Sequence, residues 1–248
     1  MLRRNLLLGG LAAVTVPVLY RVARSATPAE SLDGPRLDAA TGSAEWLIVL
    51  CHGSGGDGPN MFGLAPALQP YLPSAAFVSP TGPFPRADFG YRWFPGALGN
   101  DPVGMVQRGM AEGGPVFNEF VDAELGRLGL GPDRLILLGF SQGSMMVLNA
   151  GLRRSPLPAA IISFAGFRLA EEGLPALSNP PPVLLVLGAL ENNPERLQQT
   201  EEQLTARGIS VESHLLPDIG HSIDQRGIRI AGEFLQRVTQ ESSAAAGG

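Results

Sequence analysis

Six short apolar runs, at residues 46–51, 75–79, 134–140, 159–164, 183–187 and 211–216, alternate with longer segments of helical periodicity at 61–69, 114–128, 142–153, 195–207 and 222–238. Runs that are apolar without polar alternation must be buried on both faces, and a strand–helix alternation achieves this by laying helices over both sides of a parallel sheet. The expected fold class is therefore α/β, with a mostly parallel sheet covered on both faces. A chain of 248 residues can bury one full core, so a single domain is expected over residues 30–241. Residues 31–44 are expected to add an edge strand and a turn. The glycine- and proline-rich stretch 80–104 reads as a surface loop over the site, and 242–248 as a flexible tail.

Residues 1–29 differ from the rest. Arg3 and Arg4 precede an uncharged stretch from Asn5 to Tyr20, followed by Arg21, Arg24 and small residues, which is the tripartite form of an export signal. The uncharged stretch is interrupted by Gly9, Gly10 and Pro17 and falls short of the ~20 residues that span a bilayer. The paired arginines followed by Asn5, Leu6 and Leu7 resemble a twin-arginine signal. Cleavage after Ser25 or after Ala29 satisfies the small-x-small rule. The expected location is periplasmic or extracellular, with membrane contact only if this segment stays attached.

The basic residues are all arginine. Without lysine there is no Schiff-base lysine, no P-loop lysine and no Ser-x-x-Lys mechanism. The net charge of −5 and the lack of a basic stripe argue against a nucleic-acid partner. The single cysteine, Cys51, ends an apolar run and reads as a small buried hydrophobe. The three histidines lack the spacing of a catalytic zinc site, so neither a metal nor another cofactor is expected.

The strongest local signal is Gly139-Phe140-Ser141-Gln142-Gly143, a Gly-x-Ser-x-Gly sequence set between a strand pattern and a helix pattern. A serine on a sharp turn needs small neighbours, because a side chain at either glycine would clash. The helix that follows points its N-terminus at the serine and offers the Gln142 N–H to a developing oxyanion. A second glycine-rich segment, His52-Gly53-Ser54-Gly55-Gly56-Asp57-Gly58, follows the first buried strand, and the Ser54 N–H is the candidate second donor; His52 is expected to tie that loop down. His221 stands between the last strand and the last helix, where a general base belongs; His214 lies inside a strand pattern. The order Ser, acid, His requires a carboxylate between them. Glu191, in the loop after strand 183–187, meets the requirement, and Asp218 and Asp224 are the alternatives.

Together with Leu64-Ala65-Pro66, Ala75-Ala76-Phe77-Val78, Tyr91-Arg92-Trp93-Phe94, Met145-Met146 and Gly220-His221-Ser222-Ile223-Asp224, these blocks resemble the bacterial phospholipase/carboxylesterase family, whose relatives include acyl-protein thioesterases. The resemblance extends from about residue 46 to 235. It implies an α/β-hydrolase fold without a large cap domain, and hydrolysis of a small-molecule carboxylic ester by serine, aspartate and histidine. It further implies oxyanion donors at Ser54 and Gln142, and substrate-binding aromatics at Trp93 and Phe94. The acid loop departs from the family pattern, which reads His-Gly-x-x-Asp with valines before a proline. Here the segment is Leu187-Gly188-Ala189-Leu190-Glu191-Asn192-Asn193-Pro194. Short or medium acyl esters and lysophospholipid-like esters are the expected substrates. The competing expectations are a polyester depolymerase, a feruloyl-esterase-like or dienelactone-type hydrolase, or a catalytically silent binding protein on the same scaffold.

Overall fold

A computed structural model describes residues 31–95 and 101–246 of the chain, so the expected export signal lies outside the described residues. The strands are β1 (Arg36–Leu37), β2 (Trp46–Cys51), β3 (Ala75–Val78), β4 (Phe84–Pro85), β5 (Tyr91–Arg92), β6 (Leu135–Phe140), β7 (Ala160–Phe164), β8 (Val183–Gly188) and β9 (Val211–Leu216). The helices are α1 (Gly58–Phe62), α2 (Leu64–Leu68), α3 (Pro102–Glu112), α4 (Gly114–Leu128), α5 (Gln142–Gly151), α6 (Arg196–Thr205) and α7 (Gln225–Ala246). Seven strands form one sheet in the order β1-β3-β2-β6-β7-β8-β9, and β4 pairs with β5 in a separate hairpin. Only β1 runs antiparallel to its neighbour in the large sheet. The six expected strands are all present, each within a residue or so of its sequence boundaries.

Burial explains why those runs were legible. Every residue of β2, β3, β7 and β8 is buried. Alternate side chains serve two separate cores, as the period of a pleated strand requires. Leu47, Val49, Leu135, Leu137 and Leu185 pack with α3, α4, α5 and α6 on one face. Trp46, Ile48, Leu50, Ile136 and Leu138 pack with α1, α2 and α7 on the other.

Four expectations need correction. The helix expected over 61–69 is broken at Gly63 into α1 and α2, and Gln69–Tyr71 continues as a turn of 3-10 helix. Within 80–104, the described residues are not a simple surface loop: they include the β4–β5 hairpin, the fully buried Phe84, Trp93 and Phe94, and the start of α3, which was not expected at all. The segment expected as a tail continues α7 as far as Ala246. The last helix begins at Gln225 rather than at 222, because Asp224 accepts hydrogen bonds from the backbone N–H groups of Arg226 and Gly227 (both 3.0 Å) and so caps its first turn. Among the described residues, no helix is long and apolar enough to cross a membrane.

The short edge strand β1 is fastened by charge. Arg36 reaches the nearly buried Glu124 of α4 through Nε (3.0 Å) and Nη2 (2.6 Å), and Arg127 Nε donates to the same carboxylate at 2.9 Å. Burial pushes the Glu124 carboxyl up, but the Arg36 and Arg127 guanidiniums more than offset this and hold it below its usual value. A carboxylate with a depressed folded pKa stabilises the fold above its unfolded value and loses that contribution as pH falls through the folded value. Glu124→Gln is therefore expected to lower the unfolding free energy by about 1.5–3 kcal/mol at pH 7. In denaturant titrations the gap to wild type should close as pH falls below 4.5. A gap independent of pH would show that the charge is irrelevant there.

Candidate active site

The parallel strands all end at one edge of the sheet, so the loops after β2, β6, β8 and β9 converge there. Ser54, Ser141, Gln142, Glu191 and His221 lie in or directly beyond these loops.

Ser141 follows β6 with φ 54° and ψ −116°, a strained conformation for a residue with a side chain. Its surroundings hold it there. The Ser141 N–H donates to the Phe164 carbonyl at 2.8 Å, which ties the bend to the end of β7. The Ser144 hydroxyl, buried one turn into α5, lies 2.7 Å from the Gly139 carbonyl and 2.6 Å from that of Phe164. The flanking glycines are needed for close approach: a Cβ on Gly143 would collide with the Cys51 carbonyl, and one on Gly139 with the Gly143 backbone. Ser144 was not singled out in the sequence. Its only signal there is a hydroxyl within an otherwise apolar helical stretch.

His221 bridges to the serine. Its Nε2 is 2.9 Å from Ser141 Oγ and its Nδ1 is 2.6 Å from Glu191 Oε1. An imidazole with its proton on Nδ1 donates to the carboxylate and leaves Nε2 free to accept from the hydroxyl. The Phe140 ring lies 4.9 Å from the imidazole, centroid to centroid. Glu191 is therefore the acid that reaches the histidine. Asp224 is instead engaged with Arg226 Nε (2.6 Å) and the start of α7, and Asp218 occupies a turn at φ 59°.

The acid and histidine loops are joined through their backbones. Ala189 N–H donates to Leu216 O (2.8 Å) and Leu190 N–H to Ile219 O (3.0 Å). Gly188 lies so close to the other loop that a Cβ there would collide with the carbonyls of Ile219 and Gly220.

The other two histidines have different partners. His52 Nε2 accepts from the Gly82 N–H at 2.8 Å, so its proton resides on Nδ1, which donates to Gly53 O at 2.7 Å. Burial pushes its imidazole pKa down, which keeps the acceptor nitrogen unprotonated. His214, on the edge strand β9, pairs with Glu212 at 2.7 Å. Cys51 is fully buried, and burial raises its thiol well above the usual range, so it is not a nucleophile.

Gln142 opens α5, where the first N–H groups have no acceptor within the helix. Its side chain is used elsewhere: Oε1 accepts from the Trp93 N–H at 2.7 Å. Ser54 lies in the loop after β2, its hydroxyl 2.9 Å from Arg86 Nη1. The β5 strand clamps that loop, with Gly55 N–H donating to Tyr91 O (2.8 Å) and Tyr91 N–H to Gly56 O (2.9 Å).

Trp93 and Phe94 are placed differently from expectation. Both are wholly buried, and they pack in the core beneath the site rather than presenting a surface to substrate. Trp93 anchors the glycine-rich loop from below through an indole N–H to His52 O (2.8 Å), and its ring packs edge-on against Phe117.

An apolar groove of about 340 Å³ opens beside His221, lined by Met61, Leu64, Phe140 and Ile223 among others. Two larger depressions, about 640 and 600 Å³, lie along α6 and are bordered mainly by glutamine and glutamate side chains. Neither contains a serine or a histidine, so proximity to the paired side chains, not size, identifies the groove that matters.

The chain matches the phospholipase/carboxylesterase family over residues 33–239. It is 29% identical over 199 residues to the esterase YpfH of Escherichia coli K12, covering 78% of this chain and 83% of that protein. Among solved structures, the esterase PE8 is 36% identical with a TM-score of 0.74, covering 84% of this chain and 99% of the other. A carboxylesterase from Mesorhizobium loti, at 24% identity and TM-score 0.67 over 81% and 92% of the two chains, shares the fold. With a mostly parallel sheet, flanking helices and this match over most of its length, the chain has an α/β-hydrolase fold and belongs to the phospholipase/carboxylesterase family of esterases.

Proposed function

We propose that this protein is a serine carboxylesterase that cleaves small carboxylic esters through an acyl-enzyme on Ser141. The observation that carries the reading is the unbroken chain Glu191–His221–Ser141, with contacts of 2.6 and 2.9 Å. His221 takes the hydroxyl proton as Ser141 Oγ attacks the ester carbonyl carbon. Glu191 holds the imidazole in orientation and stabilises the imidazolium that forms. The oxyanion of the tetrahedral intermediate is held by the backbone N–H groups of Gln142 and Ser54. Collapse breaks the bond to the alcohol, which leaves with the proton from His221. Water, deprotonated by the same imidazole, then attacks the acyl-enzyme, releases the acid and restores Ser141.

The apolar groove beside His221 suits a short or medium hydrocarbon portion of the substrate. The intact contacts of all three side chains favour this reading over a silent binding protein, which would place no demand on them. A fluorophosphonate probe tests the proposal directly. Mass mapping should place one covalent adduct on the peptide that contains Ser141; an unlabelled protein, or an adduct elsewhere, refutes it.

A further inference from the structure

Beside the acid loop, a concave pocket of about 180 Å³ is lined by Phe167, Arg168, Glu191, Asn192, Asn193 and Arg196, together with Ala165 and Leu187. The two arginines differ from most of the described ones. Arg36, Arg127, Arg154, Arg226 and Arg237 each meet a carboxylate. Among the described residues, no ion pair joins Arg168 or Arg196 to an acid. Arg168 Nε is buried without a hydrogen-bond partner. Burial and the neighbouring Arg196 charge both push the Arg168 pKa down, so the fold holds two like charges together at a cost that an anion between them would offset. With the Asn193 amide turned so that both its ends find partners, its oxygen accepts from Arg196 Nη2 at 2.8 Å and its nitrogen donates to Asn192 O at 2.9 Å. The Arg168 backbone is fixed by Asn149 Nδ2, 2.6 Å from its carbonyl. The single carboxylate in the lining, Glu191, is already committed to His221.

We infer that this pocket is an anion subsite, and that the esterase prefers esters whose acyl chain ends in a carboxylate. The inference rests on the esterase reading above and adds the substrate class. The pocket comes near the nucleophile through its own lining: Ala165 precedes Gly166, which packs so tightly on Ser141 that a Cβ there would collide with the Ser141 carbonyl. Arg168 is two residues further on, at most about 7 Å of extended backbone. The acyl group we assign to the pocket is a five-carbon glutaryl chain, with its ester carbonyl at Ser141 and its free carboxylate between the guanidiniums. Arginine suits this task because its planar fork binds a carboxylate through two parallel hydrogen bonds. The bond changes at the ester are those already described, and the pocket takes no part in them; the products are a dicarboxylate and an alcohol.

The test compares mono-4-nitrophenyl glutarate with 4-nitrophenyl pentanoate, which has the same chain length without the charge. The wild-type ratio of kcat/KM, charged over neutral, should exceed about 10 at low ionic strength and fall as salt is added. Arg168→Gln and Arg196→Gln should each lower that ratio about tenfold or more, mainly through KM for the charged ester. Taking the ratio within each variant cancels any general loss of folded enzyme. A wild-type ratio near or below unity, a preference that survives both substitutions, or a preference shown only for 4-carboxyphenyl pentanoate, where the charge is on the alcohol, overturns the assignment. Calorimetric titration of Ser141→Ala protein with glutarate separates this failure from failure of the esterase reading. Binding that is lost on adding Arg168→Gln supports the subsite even if no ester is hydrolysed, and the lack of any glutarate binding counts against it.

Discussion

Replacing Ser141 with alanine is expected to lower kcat/KM on 4-nitrophenyl butyrate by about 10⁴–10⁶-fold. The loss is large because, on the proposed mechanism, the hydroxyl is the atom that becomes acylated, and neither Cys51 nor Ser144 is placed to take its role. Cys51 is buried with its thiol pKa raised, and the Ser144 hydroxyl is enclosed between two carbonyls. Any residual rate would come from water activated by His221 and from the oxyanion donors alone. The variant should fold, since the Ser141 side chain bonds only to the imidazole while its bend is held through its backbone and through Ser144. Steady-state kinetics checks the expectation, with thermal unfolding to confirm the fold. Equal activity in the two proteins would end the nucleophile assignment.

The second large effect is expected at Glu191. Glu191→Gln should reduce kcat by about 10³–10⁴-fold with little change in KM. Its carboxylate now fixes the Nδ1–H tautomer at 2.6 Å. An amide can instead present its NH₂ group to Nδ1, which moves the imidazole proton to Nε2 and leaves the serine hydroxyl without an acceptor. It also removes the negative charge that stabilises the imidazolium. Glu191→Asp keeps the charge but shortens the reach, so it should recover part of the rate. Asp224→Asn is the discriminating comparison, because Asp224 serves Arg226 and the start of α7. If Asp224→Asn or Asp218→Asn costs as much as Glu191→Gln, or if Glu191→Gln is fully active, the acid has been misassigned.

How much of this was legible in the sequence depended on how local the cause was. The strands could be read because burial on both faces leaves an uninterrupted apolar run, as at Leu135–Phe140. The bend at Ser141 could be read because its steric needs are met by its own neighbours. Helix α3 could not: Pro102, Gly104 and Gly109 look like breaks. Yet Pro102 sits in the first turn, where its missing N–H costs nothing, and Gly109 is required because the Phe94 ring fills the space a Cβ would occupy. Its cause lies in tertiary packing.

The same holds for Trp93 and Phe94, whose proximity to the site was expected but whose burial rests on contacts distant in sequence, those of Trp93 with His52, Gln142 and Phe117 and that of Phe94 with Gly109. The asparagines of the acid loop marked a departure from the family pattern. Only folding brings Asn192 and Asn193 beside a pair of arginines contributed by two separate segments.

The joint between the acid loop and the histidine loop bears on how such an enzyme can change. Its bonds run between main-chain groups, Ala189 to Leu216 and Leu190 to Ile219, and are indifferent to which side chains those positions carry. Residues just past Glu191 can therefore be exchanged by mutation without disturbing the alignment of acid and base. On this scaffold the choice of substrate can drift while the reaction itself is preserved.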